Sequence, residues 1–187
     1  MNQDKTFLGT EPIGKLLRQL AIPTVIAQLV NMLYNIVDRI YIGHIPNVGS
    51  MALTGVGIAL PVISILSAFA GLFGQGGAPL CSMARGRGDN DEASRVMGNA
   101  FSMLLVSSVA LGLLTWAFLD PVITVFAAGK EASSYAREYL AVYLIGTTFS
   151  FVSLGMNVYI NAQGFATRGM LTVLLGAIAN IVLDPLF

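Results

Sequence analysis

The sequence predicts an all-α integral membrane protein with about five transmembrane helices. Only 11% of the 187 residues are charged and 55% are hydrophobic, whereas a soluble domain keeps roughly 25% charged residues to cover its surface. Mean hydropathy is +0.74. Between Arg39 and Arg85 there is no Lys, Arg, Asp or Glu at all. A chain so poor in charge suits lipid as its solvent.

A spanning helix needs about 20 mostly apolar residues, and such segments cover residues 16–43, 51–83, 96–119, 134–163 and 170–187. The uncharged stretch is too long for one straight span, so Ile42 to Ser50, with Pro46 and Gly49, is expected to be a loop. Short connections make neighbouring spans antiparallel. Met1 to Pro12 is polar, and the apolar run after it is long and contains Asn31, Asn35 and Asp38, so it reads as a retained span rather than a cleavable signal.

Basic residues near helix ends set the orientation. Lys5, Lys15, Arg18, Arg85, Arg87, Arg95 and Arg168 fall on one side, against Arg39, Lys130 and Arg137 on the other. The expectation is a multi-pass protein of the cytoplasmic membrane with a cytoplasmic N-terminus. Arg85 to Arg95 becomes a cytoplasmic loop whose arginines act as a positive-inside anchor. Ser133 or Ser134 is a plausible cap for the fourth span.

Several classes of function lack support. The net charge of zero gives no pull toward nucleic acid. Cys81 is the only cysteine, so no disulfide or cysteine metal cluster is expected. His44, the only histidine, sits in a loop beside Pro46. No phosphate loop, metal-ligand spacing or catalytic triad occurs, so there is no catalytic residue and no enzyme to propose.

The polar residues inside the spans are more informative. In the first span Thr24, Gln28, Asn31, Asn35 and Asp38 recur at steps of four and three, within about 40° of one line along a helix. In the fourth, Tyr139, Tyr143, Gly146, Ser150, Ser153, Asn157 and Asn161 do the same, and in the fifth Asn180 and Asp184 sit one turn apart before Pro185. The second span has a stripe of small residues, Ser64, Ser67, Gly71, Gly74 and Ala78, which reads as helix-to-helix glue. Glue does not account for the carboxylates. A charged Asp deep in a bilayer costs about 2.5–3.5 kcal/mol on insertion scales, and such groups normally face a water-filled cavity or ion path. Asp38 and Asp184 are therefore coupling-site candidates, or else residues of the membrane interface. Gln28, Asn31, Asn35 and Ser153 are candidate cavity-lining residues. Pro23 and Pro61 lie inside spans and are candidate hinges, or simple kinks.

These residues carry a resemblance. The run Ile22-Pro-Thr-Val-Ile-Ala-Gln28, continued by Asn31-Met-Leu-Tyr-Asn-Ile-Val-Asp-Arg-Ile-Tyr-Ile-Gly43, resembles the first helix of the multidrug and toxic compound extrusion (MATE) family. Leu53-Thr-Gly-Val-Gly57, Gly76-Gly-Ala-Pro79, Ala84-Arg-Gly-Arg-Gly88, Asn161-Ala-Gln-Gly164 and Asn180-Ile-Val-Leu-Asp-Pro185 extend it along nearly the whole chain. The resemblance implies a partial N-terminal lobe, cut before its sixth helix, of a transporter built from two six-helix lobes. It implies cation-coupled antiport, with Na+ or H+ entering as organic cations and other drugs leave, and no other cofactor. It further implies a cation site matched here by Asp38, Asn180 and Asp184, with Asn157 and Tyr139 as members from the fourth span. The proton would sit on a carboxylate; Na+ would take the carboxylates plus the amide oxygens of Asn157 and Asn180. The partners implied are drug substrates, membrane lipid, and a missing C-terminal lobe or second chain.

Two other readings stand beside this one. A lipid-linked sugar flippase shares the architecture, but its anionic substrates call for intramembrane basic residues, and beyond Leu20 the first three spans carry only Arg39, at a helix end. An inactive or partner-dependent fragment would have the same spans without transport.

Overall fold

The computed structural model describes residues 11–126 and 129–183. Among these described residues six helices follow one another: α1 (Ile13–Gly43), α2 (Gly49–Gly86), α3 (Asn90–Ala117), α4 (Leu119–Phe126), α5 (Lys130–Ala162) and α6 (Ala166–Leu183). All but α4 are long and apolar enough to cross a membrane. The large apolar side chains left outside the packing, such as Ile13, Phe149 and Val125, are 78–84% exposed, which suits a lipid environment. The chain is a multi-pass membrane protein.

The helix ends reveal three differences from the sequence-based expectations. The basic loop between the second and third spans shrinks to Arg87–Asp89, because α2 continues through Gly86 and α3 begins at Asn90. Gly88 takes the left-handed conformation (φ 81°), which costs a glycine nothing, and the Asp89 side chain accepts from the Glu92 backbone N–H at 2.8 Å. The turn is then closed by its own hydrogen bonds. Ser133 and Ser134 do not cap α5: its N-cap is Gly129, and Ser133 donates back to the Gly129 carbonyl from inside the first turn. The short α4 replaces an expected loop. Its Asp120 pairs with Arg137 of α5 at 2.8 Å.

The core is formed by α2, α3 and α5, with α4 closing one end. One cluster joins Ala59, Val62, Leu66 and Ala70 of α2 to Leu104 of α3 and to Ala136, Leu140 and Phe151 of α5. A second joins Ala78, Cys81 and Ala84 to Ala93, Ala100 and Tyr159. Helices α2 and α5 run parallel in constant register: Gly55 lies against Tyr135 and Ala136, Gly74 against Gly155, and Gly77 against Tyr159. A Cβ on Gly74 would meet the Gly155 backbone at 2.9 Å, and one on Gly155 would meet Leu104 at 2.5 Å. These glycines let the α2 and α5 backbones approach closely and seat the Leu104 side chain of α3, which is how helices associate where lipid removes the hydrophobic drive. The Tyr159 hydroxyl fills the notch at Gly77 and donates to the Phe73 carbonyl at 2.9 Å.

The small-residue stripe of the second span is therefore only partly glue. Gly74 and Ala78 are buried in the contact, Gly71 and Ser67 are half-buried, and Ser64 is exposed. The buried line instead follows Val62, Leu66, Ala70, Gly74 and Ala78.

Helices α1 and α6 lie outside both clusters and pack mainly against each other. Their buried residues are few and small: Ala27 on α1, and Ala166, Gly169 and Ala177 on α6. Overpacking a tight contact costs about 1–3 kcal/mol. Gly74→Val should therefore lower stability in detergent by about that much, whereas Ser64→Val on the same helix should change it by less than about 0.5 kcal/mol. Equal thermal unfolding midpoints for the two variants would contradict this arrangement of α2.

Candidate functional site

The polar residues of α1 divide between two faces. Thr24, Asn31, Tyr34 and Asp38 are half-buried on the side that packs, while Gln28 and Asn35 are exposed beside it. On both faces the helix satisfies its own side chains: Thr24 donates to the Leu20 carbonyl at 2.8 Å and Asn35 to the Asn31 carbonyl at 2.7 Å. Such back-bonding lets a polar residue sit in a span at low cost.

Asp38 lies one turn and a half before Gly43, the end of α1. It faces Tyr139 of α5 within electrostatic reach, and Tyr34, Tyr143 and Arg39 share the same neighbourhood. Tyr139 and Tyr143 stack, with centroids 6.4 Å apart, and Tyr143 meets the Ser67 hydroxyl of α2. Tyr139 thus links Asp38 and Tyr34 of α1 to Tyr143 of α5 and, through Tyr143, to Ser67 of α2. Asn180 is half-buried on the face of α6 that carries Ala177. Asp184 lies outside the described residues. No group of three or more His, Cys, Asp or Glu side chains converges among the described residues.

Asn157 is not beside Asp38. It follows Tyr139 by about 27 Å along α5, at roughly 1.5 Å per residue. There its amide donates to the Gly169 carbonyl at 3.1 Å and to Thr172 Oγ1 at 2.9 Å, joining α5 to α6. Asn161 donates to Asn157 Oδ1 at 3.3 Å, and its own Oδ1 is buried without a hydrogen-bond partner, against Gly169. A single periodic stripe on α5 thus serves two places. Its Tyr139 end meets Asp38, and its Asn157 end forms the α5–α6 hairpin. Ser153 between them is exposed. Pro23 and Pro61 are both half-buried, and α1 and α2 continue through them as single helices.

Tyr143 and Ser67 join this neighbourhood without standing out in the sequence. Their only signals were the four-residue step from Tyr139 and a place in the small-residue stripe.

The MatE family profile matches residues 23–186. The chain belongs to the MATE multidrug efflux transporter family. It is similar to the multidrug export protein MepA of Staphylococcus haemolyticus, 26% identical over 187 residues, which span 100% of this chain and 41% of that protein. It is also similar to a FAD transporter of Shewanella oneidensis, 22% identical over 98% of this chain and 40% of that protein. Among solved structures, the MATE multidrug transporter DinF-BH superposes with a TM-score of 0.91 at 39% identity, covering 100% of this chain and 42% of that one. An outward-facing MATE transporter of the MOP superfamily gives 0.90 at 28% identity, with 100% and 41% coverage. The chain spans about two fifths of the length of these relatives, consistent with an N-terminal lobe. Members of the family are transporters rather than enzymes.

Interhelical hydrogen bonds in membranes are worth about 0.6–2 kcal/mol each. Asn157→Leu, which removes two of them, should lower the unfolding midpoint in detergent measurably, and Ser153→Leu should not. An unchanged midpoint for Asn157→Leu would contradict a structural role for this amide.

Proposed function

We propose that this chain forms most of the N-terminal lobe of a cation-coupled antiporter that exports organic cations and other drugs across the cytoplasmic membrane, with the N-terminus inside. The supporting observation is the placement of Asp38, half-buried on the packed side of α1 and facing the Tyr139 phenol across a helix boundary. A carboxylate at membrane depth that gains and loses a cation changes the charge between α1 and its neighbours, and so shifts the balance between two packings of those helices. Na+ or H+ would be held at Asp38, with Asn180 and Asp184 of the fifth span supplying further oxygens. The two ions are the alternatives that measurement must separate.

The loose attachment of α1 and α6 to the rest fits this role. The elements that must move are the ones absent from the two core clusters. Pro23 in α1 is the proposed hinge, whereas Pro61, the other candidate, lies in α2 between the core residues Ala59 and Val62 and suits a fixed kink. Gln28, Asn31 and Asn35 would give the drug path a polar wall. The family name and the multidrug naming of MepA support drug substrates over the flippase reading. The spans beyond Leu20 offer little basic charge to an anionic substrate.

The test is dye efflux from cells and from proteoliposomes carrying the complete reading frame, including whatever follows the Phe187 codon. Asp38→Asn should abolish efflux driven by a Na+ or proton gradient while leaving expression and membrane insertion unchanged, and Ser64→Ala, at an exposed position of α2, should retain most of it. Normal transport by Asp38→Asn would refute the coupling role. Efflux that follows only one of the two gradients identifies the ion.

A further inference from the structure

Two motifs that carry the family resemblance meet on the basic side of the bundle, 78 residues apart in sequence. Arg85, from Ala84-Arg-Gly-Arg-Gly88, donates through Nη1 to Gln163 Oε1 at 3.0 Å. Gln163, from Asn161-Ala-Gln-Gly164, is itself steadied by a contact from Nε2 to Met97 Sδ at 3.4 Å. The Arg85 guanidinium is thereby fixed over a polar cleft of about 230 Å³ between the end of α2 and the start of α3, lined by Cys81, Arg85, Asn90, Ala93, Ser94 and Met97.

Among the described residues no acid neutralises Arg85. Gln163 is a neutral acceptor and engages one of the five guanidinium N–H groups. Among the described residues Arg85 has no carboxylate partner, whereas the next arginine, Arg87, is paired with Glu92 at 2.9 Å. The acidic residues of the turn are directed elsewhere. Asn90, Ala93, Ser94 and Met97 follow three- and four-residue steps and share the face of α3 toward the cleft, so Asp91 and Glu92 project from other faces. The Asp89 Oδ1 accepts the Glu92 N–H as the N-cap of α3.

At 38 residues, α2 is about 57 Å long, well beyond the roughly 30 Å of a hydrocarbon core. The helix therefore projects beyond the hydrocarbon core, and Arg85, the first charged residue after Arg39, marks the projecting end. An anchored guanidinium beside amide and hydroxyl groups suits a phosphate in charge and hydrogen-bonding geometry, and basic pockets between helices at this level recognise lipid headgroups. We propose that this cleft binds a phosphate group at the membrane surface, with Arg85 as its cation and Asn90 and Ser94 as neutral partners. A lipid headgroup and free phosphate offer the same chemistry.

The test is native mass spectrometry of the purified chain taken from bilayers of phosphatidylcholine with and without phosphatidylglycerol, with inorganic phosphate as a soluble competitor. Arg85→Gln should retain phosphatidylglycerol about tenfold more weakly. Ser94→Leu, which fills the cleft and leaves the Arg85–Gln163 bond in place, should do the same. Arg95→Gln, which removes an exposed charge outside the cleft, should bind as the parent does. Displacement by inorganic phosphate with the same dependence on Arg85 would uphold the site and assign it to a soluble source. Retention unchanged in Ser94→Leu, or equal loss in Arg85→Gln and Arg95→Gln, would overturn the proposal and leave only a general attraction of basic residues for anionic lipid. Thermal unfolding of each variant separates lost binding from lost fold.

Discussion

The rest of the structure depends on the backbone-to-backbone contact of α2 with α5. A hydrocarbon solvent gives apolar helices no reason to associate, so shape and hydrogen bonding must hold them together. Gly74 against Gly155 supplies the shape, and Tyr159 reaching the Phe73 carbonyl through the gap at Gly77 supplies the bond. Leu104 of α3 seats on Gly155, so one contact positions three helices. Further along, the Ser82 hydroxyl on the Ala162 carbonyl at 3.2 Å and the Cys81 thiol on the Ala93 carbonyl at 3.6 Å continue it toward the basic side. The α2–α5 register also sets Ser67 beside Tyr143 at the other end, and through that pair the surroundings of Asp38.

Around this rigid trio the remaining two spans are held differently. Helix α1 contributes one buried residue, Ala27, and α6 joins α5 chiefly through the amide and hydroxyl bonds at Asn157 and Thr172. Polar contacts of this sort can be exchanged for others at small net cost, whereas a glycine contact between backbones cannot slide by a fraction of a residue without a clash. Stiffness and polarity are thus segregated: the core is dry and tightly registered, and the carboxylate lies at the boundary with the helices least bound to it.

Much of the fold was legible in the sequence because bilayer thickness imposes its own ruler. Uncharged runs of adequate length can do little else, and basic residues mark the ends. The α5 stripe from Tyr139 to Asn161 shows what periodicity leaves out. It states which face a residue occupies but not its depth, so Tyr139 and Asn157 look like neighbours on paper and lie at opposite ends of one helix. In the second span, Ser64 and Gly74 looked equivalent because a small residue fits a lipid-facing surface as well as a helix contact, and only the partner decides. The cap of α5 was misplaced for a related reason. A serine near a helix start can cap it or back-bond within the first turn, and the choice rests on where the preceding glycine lets the chain turn. The partnership of Arg85 with Gln163 joins distant segments and had no local signature.

The parallel pairing of α2 with α5 also has a cost in time. Two parallel spans cannot be neighbours in sequence, and here the paired positions Ser82 and Ala162 are 80 residues apart. A ribosome adds about 5–20 residues per second, so the Gly74 face of α2 would wait about 4–16 s in the membrane before α5 is made. During that interval only α3 and the short α4 of the core are already present, and the Tyr159 hydroxyl that fills the notch at Gly77 is not yet made. Any insertion machinery or chaperone that shields a nascent span in this protein has a long task at α2, and a longer one at α1, whose main partner α6 is made after α5.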